Sequence, residues 1–174
     1  MLRRDQRRRL AEAIDRNPLI SEELKAEFES ILQDPEEAEE FVDNKELDPY
    51  FRTRQVTVQV RTRTWKLRIG PHTQIKLILE NLTEDDLKSL FQSGIARAKK
   101  TGQPVLEDLS KYIIEGYTLK GAPATLVVEL DEVTRRVAHT VTLYRGRHRK
   151  YEPGIVIHLP QPQRLFVLKD RDRQ

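Results

Sequence analysis

The change in hydrophobic period at Asp48-Pro49 constrains the fold more than any other feature of this sequence. Before it, apolar residues recur three to four positions apart, and from Arg52 to Ile69 they alternate. The first period is that of a helix and the second that of a strand, so the chain has to combine both. The sequence predicts an α+β protein. A helical N-terminal arm (residues 1–48) precedes a domain (residues 49–174) with two helices packed on a twisted, mainly antiparallel β-sheet.

The arm is expected to contain three helices. The first two cover residues 2–16 and 22–33, and the third begins at Pro35, with Asp34 as its N-cap. Residues 22–48 carry 12 carboxylates and two lysines. This acidic segment either folds over a basic part of the chain and masks it, or forms an independently solvated helical face.

The second part of the chain is predicted to alternate between strands and helices. A bulge or turn near Arg61–Thr64 divides the first strand region, and a Thr83–Asp86 capping box opens the second helix. Residues 105–118 fit a helix or a strand equally well. The predicted elements are strands within 52–69, helices over 71–81 and 83–100, a hairpin joined near 131–134, and strands at "GIVIHL" and "RLFVL".

Charge is distributed unevenly along the chain. Residues 1–50 contain 8 Lys and Arg against 15 Asp and Glu, a net of −7, whereas residues 51–174 contain 23 against 13, a net of +10. A basic body of this kind is typical of proteins that bind RNA or DNA. The alternative is a charged surface that is simply solvated.

Several classes of site are excluded or disfavoured. The absence of cysteine excludes disulfides and thiolate metal sites. His139, His148 and His158 lack metal-like spacing, and no glycine-rich loop is present, so we expect no metal and no cofactor. No signal-peptide or membrane-spanning run is found, and we therefore expect a cytoplasmic protein without a membrane partner.

His72 opens an apolar helix in "PHTQIKLILENL", and Lys76 follows one turn later. A helix N-terminus and a nearby lysine both favour neutral imidazole, the form that a general base requires. The alternative is that His72 satisfies an unpaired backbone group in the first helical turn.

The segment "TLYRGRHRKY" (residues 142–151) is the second candidate site. On a strand its side chains alternate between two faces, which places guanidiniums in a row suited to successive phosphates. Tyrosines beside them can stack on unpaired bases. The alternative is a charged edge strand that blocks unwanted pairing. One face would carry Arg145, Arg147, Arg149 and Tyr151, and the other Tyr144, His148 and Lys150.

Residues 68–145 resemble the barnase–EndoU–colicin–RelE-like group of small bacterial and phage ribonuclease toxin domains. In one branch of that group a helix opens with His, carries Arg four and eight residues on, and closes in Gly-Ile-Thr-Glu-Asp. Here His72 is in place, Lys76 and Glu80 stand at the two arginine positions, and Asn81 stands at the glycine. "LTED" follows, and "ATLVVELDEVTRRVAHTVTLYR" matches the closing strands. Lysine lacks the forked donors of arginine, and Glu80 replaces a cation by an anion.

The resemblance implies RNA binding with metal-independent endoribonuclease activity. His72 would act as base or acid, Lys76 and Arg145 would stabilise the phosphorane, and Tyr144 would donate a proton or stack on a base. This requires His72 and Arg145 to converge on one surface. The remaining nucleic-acid-binding residues would be Arg147, His148, Arg149, Lys150 and Tyr151.

Two alternatives to a nuclease remain open. One is a non-catalytic module of a phage or mobile element that grips RNA, DNA or an acidic protein of the antitoxin or immunity type. The other is an adaptor whose acidic helices form the working surface.

Overall fold

The computed structural model describes residues 1–60, 62–93, 95–98, 111–132, 136–146 and 156–158. Five α-helices and a seven-stranded sheet lie within these ranges, which makes the protein α+β. None of the helices in these ranges has the length and apolar character needed to cross a membrane.

The first three helices are α1 (Arg4–Asp15), α2 (Glu22–Ile31) and α3 (Pro35–Asp43). The predicted cap of α3 is confirmed, because the Asp34 carboxylate accepts hydrogen bonds from the amides of Glu36 and Glu37. A short 3₁₀ helix, Asp48–Tyr50, connects this segment to the sheet.

A β-hairpin follows, formed by β1 (Arg54–Val60) and β2 (Arg63–Ile69). The predicted interruption falls between the two antiparallel strands, where Val60 pairs with Arg63 and Thr62 lies in a turn. Because side chains alternate along a strand, the apolar residues all lie on one face of the hairpin. The buried members of that face are Val58, Val60, Trp65, Leu67 and Ile69.

The strands form one sheet in the order β1-β2-β6-β5-β4-β3-β7. The later strands are β3 (Ile95–Ala98), β4 (Lys111–Tyr117), β5 (Pro123–Glu132), β6 (Val137–Arg145) and β7 (Val156–His158). The β5–β6 hairpin is confirmed, since these strands pair antiparallel. The expectation of a mainly antiparallel sheet needs a correction, because β2 and β6 pair in parallel and the sheet is mixed. β6 joins β2 only after the intervening helices and strands, and such a long connection permits either direction.

Two helices lie between the first hairpin and β3, namely α4 (Pro71–Glu80) and α5 (Glu84–Ser93). The Thr83–Asp86 capping box is confirmed: the Thr83 amide donates to Asp86 Oδ2, and the Asp86 amide donates to Thr83 Oγ1. The prediction that this helix continues to Lys100 is wrong, because Ile95–Ala98 pairs with β4 as a strand. Gly94 disfavours helix continuation, and β-branched Ile95 suits a strand.

The sequence predicts either a helix or a strand for residues 105–118. Its described part is residues 111–118, of which Lys111–Tyr117 form strand β4, and this strand pairs with β5 along its whole length. The predicted strand at "GIVIHL" is described only over Val156–His158, and "RLFVL" lies outside the described residues.

Helix α4 has an apolar cluster on each side. Leu77 joins the cluster between the sheet and α5, whereas Ile75 and Leu79 join the cluster formed by α1, α2 and α3. The helical segment is thus packed against α4 rather than held away from it. The domain boundary near residue 48 stays a prediction.

Candidate catalytic and nucleic-acid-binding residues

His72 lies in the first turn of α4, against the 3₁₀ helix. Its Nδ1 is 4.0 Å from Oδ1 of Asp48, too far for a hydrogen bond. Both atoms are buried and neither has a hydrogen-bond partner in the described part of the chain. A buried polar atom without a partner is costly, so a small shift that closed this gap would be favourable. Asp48 therefore lies beside the imidazole ring without a hydrogen bond to Nδ1.

The electrostatic surroundings of His72 favour the neutral ring. Burial lowers the pKa of His72, the charge of Lys76 lowers it further, and the charge of Asp48 opposes this. The charge of Lys45 also lowers the pKa of His72. Lys45 adopts a left-handed backbone conformation with φ of 60°. Burial raises the pKa of Asp48, while His72 and Lys45 act against that rise. His72, Asp48, Lys45 and Lys76 are referred to below as the His72 cluster.

Arg145, the last residue of β6, caps the C-terminus of α4. Its Nε donates a hydrogen bond of 2.9 Å to the carbonyl of Glu80 and lies 3.8 Å from the carboxylate of the same residue. Arg9 of α1 donates to the neighbouring carbonyls of Ile78 and Leu79. Two guanidiniums from distant parts of the chain thus neutralise the partial negative charge of this helix end. Glu80, which departs from the toxin pattern, here complements Arg145.

The structure does not bring His72 and Arg145 together. His72 lies at the first turn of α4 and Arg145 at its last carbonyl, so about 12 Å of helix separates them. One phosphate cannot contact both side chains at this separation. The predicted joint use of His72 and Arg145 in one active site therefore has no geometric support, whereas Lys76 does lie near His72.

Tyr144 occupies a third location. Side chains alternate along β6, so Tyr144 points to the face opposite the one from which Arg145 reaches α4. It pairs across the strands with Thr125, which pairs in turn with Glu115. Burial raises the pKa of Tyr144, a hydrogen bond with Thr125 acts against this, and the charge of Glu115 adds to it.

The remaining predicted nucleic-acid-binding residues cannot be placed. Strand β6 ends at Arg145, and Gly146 follows with φ of 85°. The residues after Gly146 in that group lie outside the described residues, namely Arg147, His148, Arg149, Lys150 and Tyr151.

The sequence reasoning missed the basic character of the β1–β2 hairpin. Residues 51–69 contain six Lys and Arg and no Asp or Glu. On the face opposite the apolar core, each side chain is either cationic or polar without a charge. This basic hairpin face comprises Gln55, Thr57, Gln59, Thr64, Lys66 and Arg68. A simple count of carboxylates along the sequence would have revealed it.

Hydrogen bonds across the hairpin position part of this face. Arg68 Nε donates to Gln55 Oε1, and Thr64 Oγ1 donates to Gln59 Oε1. The face continues onto β6, where His139 is the register partner of Arg68. Lys66 is exposed and Arg68 is half-buried, so both are accessible. Cations beside amides and hydroxyls are the donors that commonly contact phosphate and sugar oxygens.

In the described ranges, no three His, Asp or Glu side chains are placed to hold a metal ion. Comparison of the chain with protein-family models, curated proteins and solved structures finds no match.

Proposed function

We propose that this protein binds single-stranded RNA through the basic hairpin face. The observation that carries the proposal is a hairpin with one face in the core and the other free of carboxylates along its whole length. RNA backbone contacts need donors that follow the phosphates, and Lys66 and Arg68 supply cationic ones at a spacing of two residues. The resemblance to ribonuclease toxin domains favours RNA over DNA.

β6 supports the same interface. His139 lies beside Arg68 across the β2–β6 pair. A register shift opposite Val127 and Val128 moves the alternation of β6 by one residue, so Tyr144 projects from the sheet face that also carries His139. Aromatic rings on an open sheet face stack on unpaired bases in other single-strand-binding proteins. Single-stranded RNA would thus meet cations on the hairpin and aromatic rings on β6. Because Glu129 pairs with His139 and the charge of Glu115 acts on Tyr144, the main backbone contacts are assigned to the hairpin.

Fluorescence anisotropy with a labelled single-stranded RNA tests this function. The double variant Lys66→Gln/Arg68→Gln should bind about tenfold more weakly than the wild type at low salt. The matched control Arg16→Gln/Lys120→Gln removes two exposed cations elsewhere and should bind within about twofold of the wild type. An equal loss of affinity in both variants would mean that RNA binding depends only on the net charge of the protein. No binding by the wild type, or preference for duplex DNA, would contradict the proposal.

The His72 cluster favours metal-independent RNA cleavage as a second candidate function. A neutral imidazole beside a carboxylate can take a proton from the ribose 2′-hydroxyl. The 2′-oxygen then attacks the phosphorus, the bond to the 5′-oxygen breaks, and a 2′,3′-cyclic phosphate forms while the leaving 5′-oxygen takes a proton from water. Lys76 and Lys45 supply the positive charge that this transition state needs. In this scheme Arg145 has no catalytic role.

Incubation of the protein with total RNA in the presence of EDTA tests cleavage. Activity should be lost in His72→Ala and strongly reduced in Asp48→Asn, because the amide cannot hold the ring in the same way. Arg145→Gln should retain activity if its stability is matched. RNA that stays intact with wild-type protein would reject cleavage while leaving the binding function standing.

A further inference from the structure

Three arginines of α1 line a cleft that is separate from the basic hairpin face and from the His72 cluster. The cleft has a volume of about 320 Å³, and Arg4, Arg7 and Arg8 contribute to its walls together with Leu32 and Gln33. None of the described residues that line it is a carboxylate. A second cleft of about 530 Å³ is lined by Arg4, Arg8 and Asp5. Positions i, i+3 and i+4 of a helix lie on one face, so the three guanidiniums point in similar directions.

Arg7 is fixed in place. Its Nη1 donates to the carbonyls of Leu32 and Gln33 at the end of α2, at 3.1 and 3.0 Å. Its Nε is buried and has no partner among the described residues. Arg7 therefore supplies a positive charge that is already held in position, so ligand binding costs no further side-chain entropy at this residue.

Arg4 and Arg8 are exposed, and neither has an ion pair within the described ranges. The nearest acidic residue in sequence, Asp5, is already engaged by Arg3 and Arg9. Like charges four residues apart on a helix repel each other, so Arg4 and Arg8 are unfavourably placed in the absence of an anion. An oxyanion between them would remove this repulsion and accept forked hydrogen bonds from both.

We infer that the α1 arginine cleft binds a ligand that carries a pyrophosphate group. One phosphoryl group would contact the hydrogen-bonded Arg7 and the exposed Arg4 and Arg8, and the second would occupy the adjoining cleft that these two arginines line together with Asp5. Free pyrophosphate and the 5′-triphosphate end of an RNA present the same chemistry. The site is independent of RNA binding at the hairpin face.

Isothermal titration calorimetry of the full chain with pyrophosphate tests the inference. The double variant Arg4→Gln/Arg8→Gln should bind at least about tenfold more weakly than the wild type, because it loses two charge-assisted contacts. Glutamine is a good helix former and both positions are exposed, so the variant should fold, which far-UV circular dichroism verifies. Arg16→Gln, at the residue that follows the same helix and outside the cleft, should bind like the wild type.

Two RNA oligonucleotides of one sequence distinguish the sources of the ligand. If the site takes an RNA end, the oligonucleotide with a 5′-triphosphate should bind more tightly than its 5′-hydroxyl counterpart, and Arg4→Gln/Arg8→Gln should abolish the difference. If it takes a free ligand, only pyrophosphate should show the effect. Lys66→Gln/Arg68→Gln should leave pyrophosphate binding unchanged. No binding of pyrophosphate at millimolar concentration, or equal binding by wild type and double variant, would overturn the inference.

Discussion

Removing the guanidinium of Arg9 tests whether the helical segment is held to the sheet domain through the end of α4. Arg9 Nε donates to the Ile78 carbonyl at 3.1 Å, and Nη2 donates to the Leu79 carbonyl at 2.6 Å. The side chain is only 20% exposed, so water screens these bonds weakly. The substitution Arg9→Met keeps most of the apolar stem and removes both bonds, together with the half-exposed ion pair between Arg9 and Asp5.

The expected loss follows from these contacts. Hydrogen bonds to a charged group contribute about 1.5–3 kcal/mol each, and a cation at a helix C-terminus adds about 0.3–1 kcal/mol. Water can partly replace the guanidinium in the variant, so we expect Arg9→Met to lower the free energy of unfolding by about 2–3 kcal/mol. Arg9→Lys should lie between wild type and Arg9→Met, since an ammonium keeps the charge but lacks the fork.

Urea unfolding followed by tryptophan fluorescence and by far-UV circular dichroism measures the loss. Trp65, the single tryptophan, lies in the sheet core, whereas circular dichroism also reports the helices. Arg8→Met is the matched control, because Arg8 is exposed and has no hydrogen bond in the described part of the chain. It should change stability by less than about 0.5 kcal/mol. Equal stabilities of Arg9→Met and Arg8→Met would refute the argument.

Three further substitutions test the packing around α4 and α5. Asp86→Asn should cost about 2 kcal/mol at neutral pH, because Asp86 accepts bonds from the amides of Thr83 and Leu119, whereas exposed Asp85→Asn should be near neutral. Burial acts to raise the pKa of Asp86, but those hydrogen bonds outweigh burial, and the pKa is lowered. The stabilisation by Asp86 is therefore present above the unfolded-state pKa of about 4 and is lost as pH falls through the folded-state pKa. Urea titrations across acid pH measure this loss. Phe91→Ala should cost about 3–5 kcal/mol in urea unfolding, since the ring is fully buried against Trp65. Asn81→Gly should raise the melting temperature slightly relative to Asn81→Ala, because this residue has φ of 53°.

Local signals in the sequence predicted local structure well. The Asp34 cap, the Thr83–Asp86 box and the period change at Asp48-Pro49 each depend on residues a few positions apart. The error at Ile95–Ala98 has the opposite origin. Its apolar spacing fits a helix, but pairing with β4, whose residues are distant in sequence, decides the structure.

The candidate site was predictable only in part. His72 and Lys76 were found because they are neighbours on one helix, whereas Asp48 lies 24 residues earlier and has no local signal that connects it to His72. The prediction that Arg145 binds phosphate stays a prediction, and its Nε donates to a helix carbonyl 65 residues away in sequence. No periodicity in a single sequence reveals a contact of that range.

The salt dependence of RNA binding is the most direct test of the central claim, that the basic hairpin face contacts the phosphate backbone. For single strands, each neutralised phosphate contributes about 0.7 to the slope of log K against log salt. Lys66→Gln/Arg68→Gln should therefore reduce the magnitude of that slope by about 1.4, with Arg16→Gln/Lys120→Gln unchanged. An identical slope in wild type and hairpin variant would contradict the claim.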